Sequence, residues 1–190
     1  MKLNLISTLF LLFFLSLNLS GEGLPDTSIY HANSSWITQD NKSIKLADFK
    51  GKIIITSMIY MGCKSSCPMT VAKMKEVEKL LSINVKPKVH FVLFTFDLKN
   101  DTPEAMKKYA LKNHIDLNQW TFLTNKDESN VREVSTLIDF KYKSLPTGEF
   151  EHSFALVALD TEGRVIGRTE GSEMNAKEFS NLINKEGTKP

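Results

Sequence analysis

The sequence predicts an α/β protein whose mixed central sheet is flanked by helices, and three observations lead to this prediction. Two runs rich in β-branched and aromatic residues, 53–59 and 89–96, are typical of strands buried on both faces. Apolar residues at helical spacing follow each run. Near the end of the chain, the strand-like runs 154–159 and 165–167 flank a turn sequence at 160–163. Strands that alternate with helices early and pair locally late indicate a mixed sheet.

A β-hairpin is predicted at the start of the folded region, where the polar sequence 39–42 separates the short runs 36–38 and 43–46. Pro68 is expected to begin the first helix, because proline is favoured at the first helical position, and Cys67 would then be the N-cap. The predicted apolar stripe of this helix consists of Val71, Met74, Val77, Leu80 and Leu81.

The remaining elements follow in order. The sequence 101–104, Asp-Thr-Pro-Glu, is typical of a second helix start, and 120–123 is a short strand. Apolar residues between 131 and 138 indicate a third helix. After the late hairpin, the capping-box-like sequence 175–178 predicts the start of the last helix. This order is compatible with a thioredoxin-like fold.

The N-terminus is typical of an exported protein. Lys2 precedes the uncharged, Leu- and Phe-rich segment 3–19, so residues 1–20 are interpreted as a signal peptide or an N-terminal membrane anchor. Either interpretation places the folded part outside the cytoplasm, in the periplasm or anchored on the non-cytoplasmic side of the membrane. We expect a linker at 21–35 and one folded domain at 36–190.

Charge and composition exclude some classes of partner. The chain is 42% hydrophobic and 24% charged, and its formal net charge is only +2. No block of basic residues suggests binding to nucleic acid or to an anionic membrane surface. We therefore expect no nucleic-acid partner, and membrane association only through the possible N-terminal anchor.

Two cysteines, Cys63 and Cys67, are the only ones in the chain. They lie where a buried strand is expected to give way to a helix, and unpaired N–H groups at a helix start favour a thiolate. His152 stands at the start of a later strand-like run. Two thiolates and an imidazole suit copper, as Cu(I), Cu(II) or both, whereas a structural zinc site requires a fourth ligand. The alternatives are a local structural disulfide and a histidine without a role in chemistry.

Other candidates have weaker support. His90 alternates along a strand and is expected to be structural, and Asp97 is either a strand-end carboxylate near the site or a turn residue. Four methionines near the cysteines could offer thioether contacts, although core packing explains most of them: Met58, Met61, Met69 and Met74.

Taken together, these motifs resemble the SCO/SenC family, thioredoxin-fold proteins of copper delivery to cytochrome c oxidase, over about residues 36–186. The resemblance rests on the motifs Lys50-Gly51-Lys52, Cys63-x-x-x-Cys67-Pro68, Phe96-Asp97 with Asp101-Thr102-Pro103-Glu104, His152-Ser153 and Asp160-x-x-Gly163. It implies that Cys63, Cys67 and His152 are the copper ligands, and that a cytochrome c oxidase subunit or another copper-receiving protein is the partner. The chain departs from the family at Lys64, where proline is common, and at Glu151, where aspartate is common.

Two functions follow from the resemblance and the residues. The first is a copper metallochaperone acting in cytochrome c oxidase assembly. The alternative is a thiol–disulfide oxidoreductase that reduces cysteines of a copper-receiving subunit, with Cys63 and Cys67 as its redox pair. The C-x-x-x-C spacing and His152, at the place where thioredoxins carry a cis-proline, favour metal binding. A peroxidase is disfavoured because Tyr60 stands where peroxiredoxins have threonine.

Overall fold

A computed structural model of the chain describes residues 24–64, 66–171 and 174–189. The predicted signal peptide or anchor, residues 1–20, lies outside the described residues. Within the described ranges, none of the helices combines the length and the apolar character that crossing a bilayer requires. The strands of these ranges are β1 Ser35–Thr38, β2 Ser43–Lys45, β3 Ile53–Ile59, β4 Val89–Thr95, β5 Trp120–Thr124, β6 Tyr142–Ser144, β7 Phe150–His152, β8 Ala155–Leu159 and β9 Val165–Glu170. The α-helices are α1 Ser66–Leu80, α2 Pro103–Lys112, α3 Glu128–Leu137 and α4 Ala176–Gly187.

Seven strands form one mixed sheet in the order β2-β1-β5-β4-β3-β8-β9. The central strands β3, β4 and β5 run parallel to one another, while β8 pairs with β3 in the antiparallel direction. All seven residues of β3 are buried, as the run of β-branched residues predicts. The mixed sheet flanked by helices confirms the predicted fold class, and β3 ends at the loop that carries Cys63.

The two predicted hairpins are present at opposite edges of the sheet. In the first, β1 pairs with β2, and Asn41 in the turn adopts a left-handed conformation with φ 58°. In the second, β8 pairs with β9 around Gly163, whose φ is 80°. A Cβ at Gly163 would lie 2.9 Å from the Tyr30 ring, so glycine is required there for space as well as for conformation.

Helix starts follow the sequence signals in two cases and differ in one. Thr102 and Asn175 cap α2 and α4 with their side chains, as predicted. Helix α1, however, begins at Ser66, two residues before Pro68, so the prediction that Cys67 is the N-cap is wrong. Because the first four N–H groups of a helix have no intrahelical partner, proline is tolerated at the third position as well as at the first.

A small second sheet, which the sequence interpretation did not predict, carries His152. Strands β6 and β7 pair in the antiparallel direction, with Tyr142 opposite His152, and Gly148 in their connection has φ 83°. His152 is therefore the last residue of β7, and not the start of the strand that follows it. Most residues of these two short strands are at least partly exposed, so they lack the apolar pattern that reveals a buried strand.

The core lies between the sheet and the helices. Val71, Met74 and Val77 on α1 are buried as predicted, whereas Leu80 is 42% exposed and does not belong to the buried stripe. Aromatic pairs fill much of the remaining space, including Phe91 and Trp120, whose rings stack with centroids 4.5 Å apart. The core holds β3 and α1 together, and these two elements flank the cysteine loop.

Candidate metal centre

Two neighbouring cysteines and a histidine that is distant in the sequence converge at one end of the sheet. The Sγ atoms of Cys63 and Cys67 and a ring nitrogen of His152 all lie within 4.8 Å of one another. The Cys67 Sγ to His152 Nε2 distance is 3.5 Å. Both cysteines are thiols, with no disulfide between them. The loop after β3 supplies Cys63, the first turn of α1 supplies Cys67, and β7 supplies His152.

The two cysteines have different surroundings. The backbone N–H of Cys67 donates to Cys63 Sγ at 3.3 Å, so the helix start stabilises negative charge on Cys63. Cys67 is completely buried, and this burial raises the pKa of its thiol despite the N–H of Tyr60, which donates to its sulfur at 3.5 Å. The helix start therefore favours a thiolate at Cys63, and the expectation that it also favours one at Cys67 is wrong.

The orientation of His152 fixes which of its nitrogens can bind a metal ion. Its Nδ1 lies 2.7 Å from the carbonyl oxygen of Ser153. A carbonyl can only accept a hydrogen bond, so Nδ1 carries the proton and the neutral ring has its lone pair on Nε2. Nε2 is the nitrogen that lies close to Cys67 Sγ. Such a contact from the second ring nitrogen is the usual way in which proteins orient a metal-binding histidine.

Aromatic side chains surround the imidazole of His152. The ring centroids of Phe96, Phe140 and Tyr60 lie 5.3, 6.0 and 6.2 Å from that of His152. Phe140 is stacked on it and Tyr60 meets it edge to face. These rings restrict the access of water to one side of the site and hold the imidazole in place. The sequence analysis named Phe96 as part of a motif and Tyr60 in excluding a peroxidase, but it did not place either ring beside His152, and it did not name Phe140.

Ser66 lies between two of the candidate ligands. Its Oγ is 3.0 Å from His152 Nε2 and 3.8 Å from Cys63 Sγ. Sequence reasoning missed this residue, although its position three residues after Cys63 and directly before Cys67 is the available signal. The contact with His152 spans 86 positions, and no local pattern predicts a contact of that separation.

The buried carboxylate of Asp101 stabilises the cysteine loop through hydrogen bonds. Its carboxylate accepts a hydrogen bond from the N–H of Met61 at 3.1 Å and another from the Thr95 hydroxyl. The side chain is buried, and burial raises the pKa of Asp101 to about 6. The sequence analysis proposed Asp97 as a carboxylate near the site. Its carboxylate instead accepts hydrogen bonds from the Asn100 side chain and stabilises the turn before α2. The turn interpretation of Asp97 is therefore the correct one of the two.

His90 and most of the four methionines have the structural roles that the sequence analysis expected. His90 hydrogen bonds through Nε2 to Thr121 at 2.8 Å, and burial lowers its pKa to about 4, which confirms a structural role. Met58 and Met74 are fully buried core residues, whereas Met61 is half-buried and Met69 is 50% exposed. Met61 also packs against the core, so core packing accounts for three of the four methionines, as expected.

Two sulfur ligands and one imidazole nitrogen define the chemistry of this site. Thiolates prefer soft ions such as Cu(I), and imidazole also accepts Cu(II). Among the described residues, the cluster contains three ligands and no fourth histidine, cysteine or carboxylate, so it lacks the closed set typical of structural zinc. The donor set therefore fits a soft metal ion that keeps one side open to an exchanging ligand.

Comparison with known proteins agrees with this description. The sequence profile of the SCO1/SenC family matches residues 25–186. A SCO1 protein homologue of Bacillus subtilis is 30% identical over 139 residues, which cover 71% of this chain and 70% of that protein. A SCO2-like protein of Rickettsia conorii is 27% identical over 142 residues, covering 68% of this chain and 64% of that protein.

Solved structures show the same fold. A crystal structure of a putative electron transfer protein from Aquifex aeolicus has a TM-score of 0.73 and 27% identity, covering 85% of this chain and 96% of that one. ScoI of Bradyrhizobium japonicum, solved with copper bound, has a TM-score of 0.67 and 21% identity. The match covers 80% of this chain and 96% of that one. The family profile spans most of the chain, so the chain belongs to the SCO1/SenC family.

Proposed function

We propose that this chain is a copper metallochaperone that holds the ion through Cys63, Cys67 and His152 and delivers it during cytochrome c oxidase assembly. The convergence of these three ligand atoms within 4.8 Å carries the proposal. Solved ScoI of Bradyrhizobium japonicum, which shares the fold, has copper bound, and this supports copper as the ion. Copper is here the cargo of the protein, not a permanent cofactor.

The surroundings of the three ligands suit loading and release. Metal binding requires both thiols to lose their protons, and the N–H of Cys67 stabilises the Cys63 thiolate. His152 also lines a cavity of about 350 Å³ together with Lys141, Lys143 and Glu151, so the surface beside the site is concave. An acceptor ligand can then replace the protein ligands one at a time, with the oxidation state of copper unchanged.

The partner in this proposal is a cytochrome c oxidase subunit or another copper-receiving protein. BsSco, a structural neighbour with 21% identity, is described as a member of the Sco family of cytochrome c oxidase assembly proteins. Localisation outside the cytoplasm is part of the same proposal, since another neighbour is a SCO1/SenC family lipoprotein of Bacillus anthracis. Residues 1–20 would supply the export signal or the anchor.

Cu(I) titration of the reduced full chain in mild detergent, against a competing chelator, tests the proposal. We expect one ion per chain, and a His152→Ala variant that binds at least about 100-fold more weakly, because losing a ligand costs more than losing an outer contact. His31→Ala is the matched control, since His31 is exposed and its ring hydrogen bonds to the Pro25 carbonyl, away from the cysteines. Binding that is indifferent to His152 contradicts the proposal.

A second candidate function is supported by the difference between the two cysteines. As a thiol–disulfide reductase, the Cys63 thiolate attacks a disulfide of the partner and releases one partner thiolate. Cys67 then attacks the Cys63 sulfur of the mixed disulfide and releases the second. Two electrons pass from this dithiol to the partner, and the two protons of Cys63 and Cys67 go to the released thiolates.

Disulfide reduction by the metal-free reduced protein distinguishes the two functions. The reductase interpretation requires stoichiometric reduction of a small aromatic disulfide, loss of activity in Cys63→Ser, and a trapped mixed disulfide in Cys67→Ser. His152→Ala should leave this reduction unchanged, whereas it should remove most of the affinity for copper.

A further inference from the structure

The hydroxyl of Ser66 occupies the part of the candidate metal centre where the imidazole lone pair points. Its Oγ lies 3.0 Å from Nε2 of His152, the nitrogen that would bind an ion. Ser66 is the first residue of α1 and is half-buried, and the carbonyl of the same residue accepts a hydrogen bond from the Thr70 hydroxyl. The helix therefore holds the Ser66 backbone in place independently of its side chain.

The direction of this hydrogen bond follows from the contact on the other side of the ring. Nδ1 of His152 donates to the Ser153 carbonyl, so Nε2 of the neutral ring is an acceptor. The Ser66 hydroxyl must then be the donor to Nε2. The lone pair needed for a metal ion is thus engaged by the Ser66 hydroxyl in this structure.

Cys67 is a weaker competitor for the same lone pair. Its Sγ lies 3.5 Å from Nε2, and a thiol is a weak donor. Its proton also leaves when Cys67 becomes a metal ligand, so this contact cannot oppose a bound ion. The Ser66 hydroxyl keeps its proton and remains able to donate to Nε2 whenever the ion withdraws.

We propose that Ser66 is a positioning residue whose hydroxyl holds the His152 ring ready in the empty site and competes with the metal ion for Nε2, so that it weakens binding and speeds release. This inference rests on the proposed copper function, which it extends to the step of release. A hydrogen bond that re-forms as the ion leaves gives the imidazole a partner, and the departure of the ion then leaves no buried lone pair unsatisfied.

The first test concerns the metal-free protein. The full chain, labelled with 15N-histidine, is compared as wild type, Ser66→Thr and Ser66→Val, and His152→Ala assigns the resonance. Threonine and valine have the same shape, and only threonine keeps the hydroxyl. In Ser66→Val we expect the His152 Nε2 resonance to move towards the chemical shift of an imidazole nitrogen that accepts no hydrogen bond. In Ser66→Thr the resonance should keep the wild-type position. Coincident resonances in the two variants overturn the proposal.

The second test measures Cu(I) affinity by chelator competition and the rate of transfer to excess chelator. Relative to Ser66→Thr, we expect Ser66→Val to bind about 3- to 10-fold more tightly and to release correspondingly more slowly, which is the range for one net hydrogen bond. Equal or weaker binding by the valine variant overturns the inference. If His152→Ala weakens Cu(I) binding and the two Ser66 variants bind alike, only the inference about Ser66 fails. If His152→Ala leaves Cu(I) binding unchanged, the proposed function fails as well.

Discussion

Cys63 and Cys67 differ in exposure and in hydrogen bonding, although they are only four positions apart. Cys63 is 8% exposed and accepts the N–H of Cys67, whereas Cys67 is fully buried. Helix starts favour thiolates and burial disfavours them, so the first cysteine is the more reactive of the two. This difference applies to both candidate functions, because an attacking thiolate and a first metal contact must both be accessible.

The difference predicts the order of alkylation. In the reduced, metal-free protein, limiting iodoacetamide should modify Cys63 at least about tenfold faster than Cys67, because thiolate character and access both favour it. Peptide mass spectrometry at early times measures the ratio. The control is the same reaction in guanidinium chloride, where the two cysteines should react at similar rates. Faster reaction of Cys67 in the folded protein would refute this account of the loop.

Asp101 predicts a pH dependence of stability. Its pKa is raised from 3.8 to about 6, so the native state binds a proton that the unfolded state releases between these values. The contribution of Asp101 to stability is therefore present below about pH 4 and lost as the pH rises through about 6, a change of about 3 kcal/mol. The charged form at neutral pH is a cost that the Met61 and Thr95 hydrogen bonds only partly offset.

Urea unfolding of the wild type and of Asp101→Asn at several pH values measures this contribution. The free energy of unfolding of the variant, relative to wild type, should increase by about 3 kcal/mol between pH 3 and pH 7, because asparagine does not ionise. The matched control is Asp116→Asn, an exposed carboxylate whose contacts to Asn118 are local. A constant difference between wild type and Asp101→Asn across this range would exclude the burial argument.

At the scale of elements, the site lies between the well-packed main core and a small sheet of marginal stability. Strand β3 and helix α1 belong to the main core and position the cysteines, whereas His152 is carried by the two-stranded β6–β7 sheet. An isolated two-stranded hairpin is only marginally stable, and this one depends on packing around the His152 ring. Tyr142, opposite His152, stacks on Phe96 of the main core with ring centroids 5.0 Å apart.

Strain in the β6–β7 connection should therefore weaken copper binding more than it weakens the fold. Gly148 has φ 83°, and no atom lies within 4 Å of the position that a Cβ would take there. Gly148→Ala therefore adds about 1–2 kcal/mol of conformational strain without a clash. We expect the Cu(I) affinity to fall severalfold while the free energy of unfolding changes little.

The matched control for this substitution is Gly51→Ala, because Gly51 has φ 88° and equally open space but precedes β3. It should lower global stability and leave the Cu(I) affinity unchanged. Chelator competition and urea unfolding of both variants measure the two quantities side by side. If Gly148→Ala lowered the free energy of unfolding and left the Cu(I) affinity unchanged, β6–β7 would not be the least stable part of the site.

The same division explains how much the sequence could predict. The buried strands, the helix caps at Thr102 and Asn175 and the ligand residues all have local signals, namely apolar runs, capping residues and a short cysteine motif. The contact of Ser66 with His152 has none, and the β6–β7 sheet has only the turn residues Pro146 and Gly148 between its strands. Both arise from packing between segments about 10 to 90 positions apart, and single-sequence patterns do not encode such contacts.

For the whole molecule, the separation of the three proposed ligands along the chain should couple copper binding to folding. Cys63 and His152 lie 89 positions apart, and a single ion would connect the loop after β3 to the β6–β7 sheet. An unfolded chain cannot keep the imidazole near both sulfurs, although it retains the local cysteine pair. The folded state therefore binds the ion more tightly, and binding must stabilise it by linkage.

Copper should accordingly raise the thermal unfolding temperature in a concentration-dependent way. At a free Cu(I) concentration 1,000 times the dissociation constant, the gain approaches about 4 kcal/mol, reduced by any binding to the thiols of the unfolded chain. Differential scanning calorimetry of the reduced full chain, with free Cu(I) set by a chelator buffer, measures the shift. His152→Ala should lose most of the gain at the same free concentration, because its remaining ligands are the local cysteine pair that the unfolded chain also offers. An unchanged shift in His152→Ala would mean that the ion is held by the cysteines alone and that the convergence of the three ligands does not contribute to binding.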